Sequence, residues 1–231
     1  LIHRRGSLAL AGCAITGVAL LVVSLDGGYA PPPQPEDSTS APPAVGVAAQ
    51  LPTTLAADGG AVMARPDAVA APSKPVAVMT SSDPVELSIP SIGVDSPLEQ
   101  LGLNPDGTVQ VPVDPARPGW YRYSPPPGAR GPAVILGHVD SAADGPAVFY
   151  RLGALRPGDS VAVTRADGSR AVFTVTAVRE FEKARFPTQA VYGDTDGAAL
   201  RLITCGDWDP RAHLYAGNTV VFAELSSPTA T

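Results

Sequence analysis

Two short stretches of this sequence carry residue types suited to covalent catalysis. Gly137-His138-Val139-Asp140 follows the apolar run Val134-Ile135-Leu136, and Thr204-Cys205-Gly206 follows Leu200-Arg201-Leu202-Ile203. A thiol beside an imidazole is the minimum set for nucleophilic cysteine chemistry: the thiolate attacks a carbonyl, and the ring moves the protons. Cys205 is the only cysteine after the apolar N-terminal run, which holds Cys13. An unpaired thiol outside the cytoplasm is either reactive or a small buried apolar residue. Each of the two motifs taken alone also fits a plain structural role: a backbone-bonded histidine, a turn glycine.

The elements that must hold these groups read as β-strands. Val85-Glu86-Leu87-Ser88-Ile89 alternates apolar and polar residues, as a half-buried strand does, and Val109 to Val113 repeats the pattern. Val161 to Arg165, Asp167-Gly168 and Ala171 to Val178 form a hairpin pattern with a glycine-bearing turn. Leu200 to Thr204 and Thr219 to Leu225 supply two further strands, and short helical turns are expected near Ala147 to Leu152 and Phe186 to Val191. So many short strands predict a closed or nearly closed all-β barrel, with His138 and Cys205 at strand ends and open to a cleft.

Upstream of the barrel the composition changes twice. Ser7 to Leu25 is apolar and uncharged, is preceded by His3, Arg4 and Arg5, and is followed by Asp26. A helix of that length matches a bilayer core, and the leading positive charge keeps the N-terminus cytoplasmic, which puts the rest of the chain outside. A cleaved signal peptide is disfavoured by the length of the run, and Leu10-Ala11-Gly12-Cys13 is a weak lipoprotein-box match. Residues from Gly27 to Asp83 are rich in Pro, Ala, Ser and Thr and lack periodicity, which predicts a disordered, semi-extended tether. The expected organisation is a cytoplasmic tip and membrane anchor over 1–26, a linker over 27–83, the barrel over 84–226 and a tail over 227–231. A formal charge of −6 with no basic patch argues against nucleic-acid binding. His138 and His213 lack the carboxylate or thiol spacing of a metal site, so neither metal nor cofactor is expected.

In order and spacing, the motifs of the barrel resemble those of the sortases, and among these the actinobacterial class F group, with class E as neighbour. The match begins at Leu87-Ser88-Ile89-Pro90-Ser91-Ile92-Gly93-Val94-Asp95 and passes through Gly119-Trp120-Tyr121. It continues with Gly131 to Ser141, Gly145 to Phe149 and Leu155 to Asp159, and reaches Leu200 to Gly206. The resemblance implies an eight-stranded sortase barrel behind a transmembrane anchor. It implies a cysteine transpeptidase that cleaves an LPXTG-like sorting signal on a surface protein and passes the acyl group to an amine of the cell wall or of another protein. Cys205 is then the nucleophile and His138 its acid; Thr204, next to the nucleophile, is either a substrate contact or a strand residue, and Asp140 is either a turn acid, the favoured reading, or a group that orients the ring. A hydrolase, or a non-catalytic barrel of the same fold, is the alternative. One departure bears on the chemistry. Sortases place an arginine near the start of the last strand, where this chain has Tyr215-Ala216-Gly217-Asn218-Thr219. Arg211 in the preceding loop is the nearest substitute. Arg201, four residues before Cys205 on the same strand face, is the second candidate.

Overall fold

The computed structural model describes residues 29–36 and 78–229. Strand β1 (Pro84–Ile89) leads through the 3-10 turn Pro90–Ile92 into β2 (Val94–Pro97), and β3 (Glu99–Leu101) follows directly. Then come β4 (Gly119–Tyr121), β5 (Gly131–Leu136), and the two-residue strands β6 (Asp140–Ser141) and β7 (Gly145–Pro146). The long strands are β8 (Ser160–Arg165), β9 (Arg170–Glu182), β10 (Ala198–Asp209) and β11 (Leu214–Thr229), with one short helix, α1 (Thr188–Tyr192), between β9 and β10.

Nine strands form one sheet in the order β2-β1-β8-β9-β11-β10-β5-β4-β3, and β6 and β7 form a separate ribbon. The count is nine where eight were expected, because the chain breaks at Leu98 between β2 and β3. Pro97 has no N–H to give a ladder, and the Leu98 N–H turns back to the Val85 carbonyl at 3.0 Å. β2 and β3 are the two edges of the sheet, so this single residue joins the edges and brings the barrel nearly to closure. A second expectation also fails. Val109 to Val113 is not a strand: Val109 makes one isolated bridge to Leu103 and Val113 is 93% exposed. Pro112 within the run cannot donate, and the turn at Asn104 to Gly107 spends the neighbouring N–H groups on itself.

Alternation along the walls sorts the apolar residues into two clusters. Leu87, Ile89, Ile135, Phe173, Leu200, Leu202 and Val221 fill the interior. Leu136, Val139, Phe181, Ile203, Cys205, Tyr215 and Phe222 pack together on the other face of the same strands. This outer layer is covered by the segment between β9 and β10, with Val191 of α1 fully buried and Phe186 and Tyr192 packed against it. The wall strands are therefore buried on both faces where the chemistry-bearing residues lie, and the β5 sequence shows it: all six residues are buried.

The expected anchor, Ser7 to Leu25, lies outside the described residues, as does most of the linker. Among the described residues no helix is long and apolar enough to cross a membrane.

Candidate active site

β5 and β10 run parallel, with Leu136 opposite Ile203 as their last pair. Two bonds carry the register one step further: Gly137 N–H donates to the Ile203 carbonyl at 3.1 Å, and the Thr204 hydroxyl donates to the Gly137 carbonyl at 2.9 Å. His138 and Cys205 are the residues that follow these two bonds along their respective chains. Thr204, buried at 2% exposure, thus ties the two motifs together. Gly137 is required there because a Cβ would come within 2.5 Å of the buried Phe149 ring.

Cys205 does not end its strand. β10 continues to Asp209 and returns as β11 from Leu214, with Trp208 opposite Tyr215 and their rings 4.9 Å apart. Aromatic cross-strand pairs of this kind stabilise a ladder, and they carry the hairpin past the thiol. The expectation of an open cleft at Cys205 is not met either: the residue is 1% exposed, packed in the outer cluster with Val139 and Tyr215. The Tyr215 hydroxyl donates to Asp140 Oδ2 at 2.6 Å and so fastens the hairpin to the strand that follows His138.

The surroundings of Cys205 favour the neutral thiol. Burial pushes the Cys205 thiol up to about 11; Lys183 pulls it down and Asp140 pushes it up further. His138 Nε2 lies 2.8 Å from the Pro112 carbonyl. A carbonyl only accepts, so Nε2 carries a proton and donates it to Pro112. Asp140 also faces Tyr150, whose hydroxyl is raised first by burial and then by this carboxylate.

The arginines proposed from the sequence are placed apart from the thiol. Arg211 sits at the exposed hairpin tip, its backbone N–H bonded to Asp209 Oδ1 at 2.8 Å. Arg201 does share the face of Cys205, but it is 7% exposed and its guanidinium lies 4.6 Å over the Phe222 ring. Its Nη1 donates to the Leu200 carbonyl at 3.1 Å, and burial lowers its pKa to about 10, Glu224 opposing. Each lies four strand residues from Cys205 or further, roughly 13 Å of strand length.

The cation beside the thiol is one that sequence reasoning passed over. Lys183 follows β9, whose last pair sets Glu182 opposite Gly217; Asn218 is opposite both Phe181 and Cys205. One row of the sheet therefore carries Phe181, Asn218 and Cys205. By alternation, Ala216 on β11 and Lys183 just past the end of β9 are the next positions on that same outer face. Lys183 is half-buried and lowers the pKa of the Cys205 thiol both by its charge and by hydrogen bonding to it. The lysine sits in a charged turn, Glu182-Lys183-Ala184-Arg185, which by itself reads as solvated surface. Only the register of three strands reveals its position. Among the described residues no group of His, Cys, Asp and Glu is arranged to hold a metal ion.

Comparison with known proteins assigns the fold. Among solved structures, the SrtA sortase from Actinomyces oris is 22% identical over 70% of this chain and 89% of that one, with a TM-score of 0.50. Sortase A from Corynebacterium diphtheriae is 19% identical over 64% of this chain and 62% of that one, at 0.48. A Clostridium perfringens sortase D5 transpeptidase is 19% identical over 63% and 79%, also at 0.48. No curated protein matches the sequence. The family model described as the sortase domain matches residues 87–226, which span β1 to β11 and contain both motifs, and the chain therefore belongs to the sortase family of cysteine transpeptidases.

Proposed function

We propose that the protein is a class F sortase of the actinobacterial type, anchored by residues 7–25 with its barrel outside the membrane. It would cleave an LPXTG-like sorting signal and transfer the acyl group to an amine of the cell wall or of another surface protein. The observation that supports this reading is that parallel β5 and β10 and the bond from the Thr204 hydroxyl to the Gly137 carbonyl bring the two motifs together, with Lys183 lowering the pKa of the thiol.

In the proposed reaction Cys205 gives its proton to His138, and the thiolate adds to the threonine carbonyl of the signal. The negative charge that develops on that oxygen needs a fixed donor. Lys183 takes this role in place of the arginine that Tyr215 to Thr219 lacks; Arg211 takes it only if the hairpin tip folds inward. Collapse of the adduct breaks the peptide C–N bond, His138 passes its proton to the departing amine, and a Cys205 thioester remains. The incoming amine attacks the thioester, loses a proton to His138, and the sulfur leaves and is reprotonated. Asn218, directly opposite Cys205, is 2% exposed with its Oδ1 unpaired, and offers an acceptor to a substrate backbone N–H.

The test is product analysis with a fluorescent sorting peptide and excess amine nucleophile. Transfer gives the ligated peptide, which Cys205→Ala and His138→Ala each abolish. Free acid in place of ligated peptide would assign the protein as a hydrolase, and an unreactive thiol would leave a binding barrel.

A further inference from the structure

A segment far from the barrel in sequence is seated on it in space. Pro32 and Pro35 of Tyr29–Glu36 are buried, while Pro31, Gln34 and Glu36 are exposed. A polyproline-II helix has three residues per turn, so positions 32 and 35 form one face. The prolines lack N–H groups, which leaves carbonyls as the main backbone contacts. The Tyr150 hydroxyl donates to the Ala30 carbonyl, and Gln34 Nε2 donates to the Pro32 carbonyl at 3.1 Å. At Gly153 the two backbones meet so closely that a Cβ would lie 2.1 Å from the Pro33 carbonyl oxygen. Arg156 pairs with Glu36 at the far end. At the near end the Tyr29 ring lies over Gly145, where a Cβ would come within 2.7 Å of it.

These contacts combine the parts of polyproline recognition: an aromatic hydroxyl on a carbonyl, buried prolines three apart, and a charge that fixes direction. The Arg156–Glu36 pair is exposed on both sides and adds little affinity. The buried prolines and the Tyr150 bond carry the contact. We propose that the face built by the β6–β7 ribbon, Tyr150, Gly153 and Arg156 is a binding site for polyproline-II peptide, held in the resting protein by this chain's own Tyr29–Glu36.

The segment and the barrel belong to one chain, so docking in cis is intramolecular. A weak intrinsic affinity therefore suffices for occupancy in cis, and a free peptide of the same sequence competes poorly. The docked segment also walls one side of a cavity of about 510 Å³; Asp140, Trp208, His213 and Tyr215 wall the other. Occupancy of this face is thus set beside the Tyr215–Asp140 bond that covers Cys205. The inference needs no transfer chemistry and is read by binding alone.

The experiment uses the full-length chain and a fluorescein-labelled octapeptide with the sequence of residues 29–36, followed by fluorescence anisotropy. The variant Pro32→Asp/Pro35→Asp vacates the face by putting charge on the two buried positions, and it should bind the peptide at least tenfold more tightly than the native chain. Adding Gly153→Val to that variant should return binding to background, and so should Tyr150→Phe with Arg156→Glu should the glycine variant unfold on thermal melting. A peptide with alanine for all its prolines should not bind. Equal binding by native and vacated chains, binding unchanged by the face variants, or binding of the alanine peptide would each overturn the proposal.

Discussion

The thiol of Cys205 is the most quantitative feature of the site. Raised from an ordinary 9.0 to about 11, it has about a hundredfold less thiolate at neutral pH than an unperturbed cysteine. In a Cys13→Ala background, the rate of iodoacetamide alkylation should therefore climb tenfold per pH unit through pH 10 and level off near 11. Lys183→Met removes the group that lowers the thiol, so the plateau moves to higher pH and the rate at pH 8 falls. Asp140→Asn removes a group that raises it and has the opposite effect. The same shift appears in stability. Below pH 9 the thiol is neutral in both folded and unfolded chains, so the linkage contributes nothing there. Between 9 and 11 the unfolded chain ionises while the folded one resists, and above 11 the folded state has lost about 3 kcal/mol. Urea midpoints of the native chain and Cys205→Ala should coincide in their pH dependence below 9 and diverge above it, the native chain falling further. An alkylation plateau below pH 8 would refute the reasoning, since it would mean that sulfur and His138 already exist as an ion pair.

Three other perturbations separate the parts of the site. Tyr215→Phe removes a hydrogen bond to a carboxylate, a class of bond contributing roughly 1.5–3 kcal/mol, so alkylation of Cys205 at fixed pH should rise about 10–100-fold; an unchanged rate would mean that the hairpin does not gate the thiol. In the peptide-ligation assay, Lys183→Met should cost a factor of roughly 100–1,000 in turnover, Lys183→Arg should recover most of it, and Arg211→Ala and Arg201→Met should stay within a few-fold of native; a loss on Arg211→Ala alone would return the role to the loop arginine. Gly137→Ala forces a methyl against Phe149, which is fully buried, and should destabilise the fold by about 1–3 kcal/mol in denaturant titration while displacing His138.

Alternation alone disclosed β1, β8 and the start of β9, because those strands have one face on the interior and one on solvent or a thin outer layer. It failed at Val109 to Val113, where the apolar spacing is right but Pro112 removes a ladder donor and Val113 ends fully in solvent. The lengths of β10 and β11 were not legible either. Gly206 also fits a turn, and it is the Trp208–Tyr215 pairing across strands that supports the extension past it. This extension buries Cys205, so the thiol's accessibility was invisible for the same reason. Lys183 was missed because its neighbours in sequence are surface charges and its neighbours in space come from two other strands. Tyr29–Glu36 was read as tether on composition. The same composition, with prolines at 32 and 35, is also what a period of three requires.

Each group that the transfer reaction needs is held at rest by a bond that does something else. The imidazole donates to Pro112, Asp140 accepts from Tyr215, and the sulfur is sealed among Val139, Tyr215 and Phe181. Two of these partners lie in the connections, the turn-rich stretch before β4 and the two-residue strand β6; the third, Tyr215, lies near the far end of the β10–β11 hairpin. Such elements open at lower free energy than the wall strands behind them. The bond between Thr204 and Gly137, by contrast, lies in the wall and stays in place when the connections move. A substrate that lifts the far end of the hairpin would break the Tyr215–Asp140 bond and uncover the sulfur, while the Thr204–Gly137 bond kept the two motifs together. On the proposed reaction, activation would exchange the Tyr215–Asp140 bond for contacts with the bound peptide at the end of the β10–β11 hairpin beyond Cys205.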